Sequence, residues 1–160
     1  MTNLLQIFGF LAFAQLSIAA PVISEFMAVN SSTLADENGD FSDWIEIHNP
    51  DTSAIFLEGY SLTDDSTNAT KWTFPAVILA ADERIIVFAS NKDRIDPASE
   101  LHTNFKLSSG GEYLALISPD GNTVETGFAP QFPPQYPDQS FGYGNPGDSS
   151  QINITPLWDS

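Results

Sequence analysis

The sequence predicts an all-β sandwich built as a single domain, and three observations carry that expectation. From Pro21 onward, short runs rich in Val, Ile, Phe, Trp and Thr are interrupted every eight to twelve residues by turn-forming residues. Several of these runs alternate apolar and polar side chains, the period of a strand with one face buried. No helical periodicity competes with them. Of the 160 residues, about 140 remain once an N-terminal export signal is set aside, enough for one domain with one core.

The first element is that signal. Leu4 to Leu16 is nearly all apolar and runs into Ser17-Ile18-Ala19-Ala20, the small-residue pattern a signal peptidase reads. Cleavage is expected after Ala19, because a cut after Ala20 would set Pro21 immediately downstream. Neither Lys nor Arg precedes the apolar core, so the positive charge of this segment rests on the terminal amine. The competing readings are a buried strand or helix, or an uncleaved anchor. An anchor needs about 20 apolar residues, and this stretch is shorter and contains Gln6 and Gln15. With residues 1–19 as a signal, the chain is expected to be secreted or held at the cell surface, with no membrane span after cleavage.

The strands follow in order: Val22–Val29, Asp43–Asn49, Ile55–Thr63, Lys71–Phe74, Arg84–Ala89, Asn104–Leu107, Glu112–Ser118 and Thr123–Phe128. In the second, Ile45 and Ile47 point one way while Glu46 and His48 point the other. The run Ile85-Ile86-Val87-Phe88 is apolar on both faces, as in a strand covered on each side. Ser109-Gly110-Gly111 and Pro119-Asp120-Gly121-Asn122 are the strongest turns, since Gly and Asn reach positive φ at little cost. Pro130 to Pro137 holds four prolines in eight residues, which prevents ladder pairing there. Its aromatics, Phe132 and Tyr136, can either pack back on the sandwich edge or stay free. The domain is therefore expected over residues 20–143, with residues 144–160 a flexible tail or the start of a linker. The abrupt ending at Trp158-Asp159-Ser160 leaves open a piece of a longer protein.

Composition narrows the functions. Twenty-one acidic residues against five basic ones give a net charge of -16, and the signal segment holds no ionisable side chain. Such a surface repels phosphate backbones and anionic lipid headgroups, so no nucleic-acid partner is expected. Cations and basic partners are favoured, although solubility alone also explains the charge. The chain has no cysteine, so packing must supply its stability without disulfides.

Three ordered motifs carry a family resemblance. Asp43-Trp44-Ile45-Glu46-Ile47-His48-Asn49-Pro50 is followed by Leu57-Glu58-Gly59-Tyr60-Ser61-Leu62-Thr63-Asp64-Asp65 and then by Lys71-Trp72-Thr73-Phe74-Pro75. Leu79-Ala80 leading into Val87-Phe88-Ala89-Ser90, then Leu101 to Ser108 and Gly111 to Leu116, extend the match over roughly Val22 to Gly142. The sequence thus resembles the lamin tail domain, in the version found in secreted bacterial proteins. The resemblance implies an immunoglobulin-like β-sandwich and a structural or binding role. The nuclear role of the lamins does not carry over to an exported chain lacking their coiled-coil rod.

The loop Asp36-Glu37-Asn38-Gly39-Asp40-Phe41-Ser42-Asp43 is the local candidate for chemistry. Asp36, Asn38 and Asp40 follow the one-three-five spacing of a calcium loop. Together with Asp43, and with Asp64 or Asp65 from a neighbouring loop, they could ligate a hard cation. The match is partial: Gly39 stands fourth instead of sixth, and no bidentate Glu stands twelfth. A solvated acidic turn whose side chains satisfy their own backbone is the competing reading. Trp44, Tyr60 and Trp72 could form a carbohydrate platform, set against simple core packing. His48, on the polar face of its strand, and His102, in a loop, are expected to be surface or locally hydrogen-bonded groups.

No nucleophile elbow, zinc-protease helix motif, cysteine nucleophile or phosphate-binding glycine loop is present. An acid/base pair among the loop carboxylates, Asp40 and Asp43, is the remaining catalytic alternative. The sequence therefore points to a non-catalytic module, with no cofactor beyond the candidate calcium, that associates with an unidentified protein or surface partner. The alternative is a calcium- or carbohydrate-binding adjunct of a larger extracellular enzyme.

Overall fold

The computed structural model describes residues 19–143 and 151–154. Residues 1–18 of the expected signal, and residues 144–150 and 155–160 of the expected tail, lie outside the described residues. Twelve strands are described: β1 (Val22–Met27), β2 (Asp43–His48), β3 (Ile55–Phe56), β4 (Ser61–Thr63), β5 (Trp72–Thr73), β6 (Ile78–Leu79), β7 (Arg84–Ala89), β8 (Leu101–His102), β9 (Leu114–Ile117), β10 (Val124–Phe128), β11 (Ser140–Tyr143) and β12 (Gln151–Ile154). They form a six-stranded sheet in the order β12-β11-β1-β2-β7-β8, a four-stranded sheet in the order β10-β9-β4-β5, and the pair β3-β6. Every pairing is antiparallel except β7 with β8.

The main core lies between the two larger sheets. Ile23, Phe26, Ile45, Ile47 and Val87 from the first pack with Leu62, Trp72, Leu114, Leu116 and Phe128 from the second. A bulge between Ile23 and Glu25 explains how Ile23 and Phe26, three residues apart, are both fully buried in that core. At the bulge the Ser24 carbonyl approaches β11 so closely that a Cβ on Gly142 would sit 2.1 Å from it. Only glycine fits there.

The alternation expected in β2 is present, but its outer face is not left to solvent. Trp44 joins Met27 and Phe88 in a second small apolar cluster, with Ile86 packed against it. The loop after β1 lies over this cluster, and the Thr33 hydroxyl reaches the Met27 sulfur at 3.3 Å. β7 is therefore covered on both faces, as its continuous apolar run predicts.

Several expectations change. The run Ile55–Thr63 is two strands in different sheets, broken at Gly59, whose φ is +86°. In place of a strand over Asn104–Leu107, β8 lies at Leu101–His102, and Lys106 makes only an isolated bridge to Ser90. Strands β6, β11 and β12 lie outside the expected runs, and β12 pairs with β11. In the proline-rich segment, Phe132 is fully buried 4.7 Å from the Phe26 ring, whereas Tyr136 is 62% exposed. One packs and one does not.

Candidate functional site

Two loops meet on the outer side of β7 and β8: the segment between β1 and β2, and the segment between β7 and β8. The first is held by buried Asn30, whose Nδ2 donates to the carbonyls of Leu34 (2.6 Å) and Ser42 (2.8 Å). Its Oδ1 accepts the Thr33 N–H at 3.1 Å. Such side-chain bonds let an irregular loop satisfy its backbone without a ladder. The second loop turns through left-handed Asn91 and Asp93, then runs back antiparallel so that Arg94 and His102 exchange backbone hydrogen bonds of 2.9 and 3.0 Å.

Within the first loop, Asp36 closes a tight turn. Its Oδ1 accepts the N–H groups of Asn38 (2.9 Å) and Asp40 (3.0 Å), and Gly39 takes a φ of +82°. The same arrangement aims three oxygens at one point, and Lys92 supplies the cation there. Its ammonium donates to Asp36 Oδ2, to Asn38 Oδ1 at 3.2 Å and to Asp40 Oδ2 at 2.9 Å. All three N–H donors of a lysine are thereby engaged. Burial pushes the Asp36 carboxyl up, but the Lys92 ammonium and the N–H groups of Asp40 and Asn38 outweigh it and hold the group below the ordinary carboxylate range.

The sequence-derived ligands thus divide. Asp36, Asn38 and Asp40 are brought together around Lys92, while Asp43 at the start of β2 accepts the Leu107 N–H at 3.2 Å. Burial pushes the Asp43 carboxyl up to about 6, against the N–H groups of Leu107 and Asn30 and the charge of Lys106. Asp64 pairs with Lys71 at 2.6 Å, and Asp65 caps its own turn by accepting the Thr67 N–H at 2.8 Å.

A second cluster adjoins the first and was not foreseen. Glu37 donates its backbone N–H to Glu100 Oε2 at 2.6 Å, its carboxylate pairs with Arg94, and its Oε1 lies 3.7 Å from His102 Nε2. His102 is fully buried, stacked on Phe88 with ring centroids 5.3 Å apart, and its Nδ1 is 2.8 Å from the Ser90 hydroxyl. Burial, then the positive charges of Arg94 and Lys92, lower the His102 pKa and keep the ring neutral. The side-chain donor atoms of Glu37, Glu100 and His102 all lie within 4.8 Å of one another. His48 is also buried, bonding through Nε2 to Asp82 at 2.7 Å. Both histidines are therefore interior, locally bonded groups, and a position on a polar face or in a loop was a poor guide to their exposure.

Beside this charged lobe runs an open groove of about 550 Å³, lined among others by Leu34, Ile85, Ile86, Phe88 and Leu101. It follows the outer edge of β7, which β8 pairs only at Val87 and Phe88. Trp44 and Trp72 are buried in separate clusters, so their ring faces offer no shared platform to a sugar.

Two packed sheets with a six-stranded face, antiparallel apart from one short pairing, and with loops that carry the polar chemistry, define an immunoglobulin-like β-sandwich module. The family model of the Lamin Tail Domain matches residues 15–127, and the chain belongs to that family. No curated protein matches the chain. Among the described residues, no helix is long and apolar enough to cross a membrane.

Proposed function

We propose that the chain is a non-catalytic, exported association module that captures an extended basic segment of a partner protein along the open edge of β7. The observation that carries this reading is the groove beside Arg84, Ile85 and Ile86, where among the described residues β8 pairs β7 at Val87 and Phe88 and no strand pairs the preceding half on that side. An unpaired edge presents backbone groups that an added strand can complete, and apolar side chains beside it give specificity. The net charge of -16 favours lysine or arginine in the bound segment. Export is supported by the apolar run from Leu4 to Leu16 ending in Ser17-Ile18-Ala19.

The test is fluorescence anisotropy with a set of extended peptides alternating apolar and basic residues. Binding is expected to weaken as salt is raised and to be lost in Ile86→Lys, which puts a charge in the groove. Phe56→Lys, at an exposed position of β3 in a different sheet, should leave it unchanged. Equal affinity of both variants would refute the site. Sequencing the N-terminus of the exported protein tests the other half, and a mature chain beginning at Met1 would refute it.

A further inference from the structure

We propose that Glu37, Glu100 and His102 form a binding site for a zinc ion. The inference does not depend on the peptide reading. It begins with His102, which has no exposed surface, yet its Nε2 has no hydrogen-bond partner among the described residues. Buried polar atoms are almost always partnered, so one left open and facing two carboxylates calls for a reason. Glu37 Oε1, at 3.7 Å from it, is too far for a hydrogen bond.

The other ring nitrogen sets the chemistry. In the tautomer that carries its proton on Nδ1, that N–H donates to Ser90 Oγ at 2.8 Å and Nε2 keeps its lone pair for a metal. Ser90 Oγ also accepts the Lys92 N–H at 3.2 Å, which fixes the hydroxyl in place. Metal-bound histidines are oriented in this way, by a hydrogen bond from the nitrogen that does not bind. The stack on Phe88 locks the ring plane.

The spacing suits zinc. Ligands at about 2.0–2.1 Å in a tetrahedral set stand about 3.3 Å from one another. The three donors already lie within 4.8 Å, and the histidine-to-Glu37 separation is 3.7 Å. Glu37 and Glu100 are exposed side chains that close the difference by rotation while the buried imidazole stays still. One imidazole with two carboxylates suits zinc better than calcium, which takes six to eight oxygens. Arg94 holds Glu37, so the guanidinium competes with the ion for that carboxylate.

The experiment is calorimetric titration of the metal-stripped chain with Zn²⁺ alone, together with thermal unfolding and the ¹⁵N shift of the His102 ring. One saturable site per chain is expected, with a higher melting temperature and a displaced Nε2 resonance. Glu37→Gln and Glu100→Gln, which leave the core intact, should each weaken binding about tenfold or more. Ser90→Ala should weaken it about 10–100-fold. Arg94→Ala should tighten it, because the competing cation is gone. No saturable binding, or binding that survives both carboxylate substitutions as a general property of the acidic surface would, overturns the proposal. So would an unmoved Nε2 resonance.

Discussion

Replacing Lys92 with Met removes the ammonium shared by Asp36, Asn38 and Asp40 while keeping an unbranched stem of similar length. The Asp36 side chain has no exposed surface, and that of Lys92 is 26% exposed, so the pair is largely shielded from water. Breaking a buried pair by removing one partner costs about 3–5 kcal/mol. Two features lower that figure here. Asp36 Oδ1 keeps its bonds from the N–H groups of Asn38 and Asp40, and Asp40, 64% exposed, contributes only what a surface pair does, about 0–1 kcal/mol. The net loss is about 2–3 kcal/mol, which for a domain of this size lowers Tm by about 6–12 °C.

Urea unfolding of the parent and the Lys92→Met variant across pH measures it. Because the folded Asp36 pKa is held down, the stabilisation is complete above the unfolded value near about 4 and is lost as pH falls through the folded value. The gap between the two proteins should therefore be full at neutral pH and close in acid. A gap below about 0.5 kcal/mol at pH 7 would refute the reasoning, being what an ordinary surface substitution gives. A gap that disappears at ~0.5 M salt would refute it too, since screening removes only exposed pairs.

Other outcomes follow from the same geometry. Asp43 has the opposite sign: its folded pKa, raised to about 6, means that ionisation opposes folding, so its contribution falls as pH rises from about 4 through 6. Asp43→Asn is expected to raise stability at pH 7 by about 1–2 kcal/mol and to lose that advantage near pH 4 in thermal melts. Phe132→Ala should cost about 3–5 kcal/mol, because it empties a fully buried site against Phe26, whereas Tyr136→Ala should stay within about 0.5 kcal/mol. Millimolar calcium is expected to leave the parent's Tm unchanged, since Lys92 already fills the point where Asp36, Asn38 and Asp40 converge. A calcium-dependent rise would show the ion displacing the ammonium.

Elements whose hydrophobic period is local were legible in the sequence. β2, β7, β9 and β10 fall within their expected runs, and the buried faces of Ile45, Ile47 and Val87 follow from alternation. What failed depends on partners distant in the chain. The two-residue strands β6 and β8 exist only because β3 and β7 lie beside them, and two residues carry no period. β11 was hidden because Gly142, a residue that weakens a strand on its own, is required by the Ser24 carbonyl across the sheet. Asp36, Asn38 and Asp40 could be grouped from their spacing, but the cation they surround comes from a residue 52 to 56 positions later.

The outer face of β7 explains why the charged clusters sit together. Ile86 and Phe88 point away from the main core, and with Met27 and Trp44 they make an apolar patch that water would otherwise meet. Covering it falls to the loops after β1 and β7, because those strands end there. Loops in a chain with 21 acidic residues bring carboxylates with them, and close packing forces those carboxylates to find cations. Lys92 and Arg94, two of the five basic residues, are both used in this way. His102 is drawn in differently, as a flat ring stacked on Phe88, and its buried Nε2 is left without a hydrogen bond among the described residues. The covering of a hydrophobic face, ordinary in itself, thus assembles two carboxylates and a neutral imidazole at distances set by packing. It is a chemistry that neither loop could build alone.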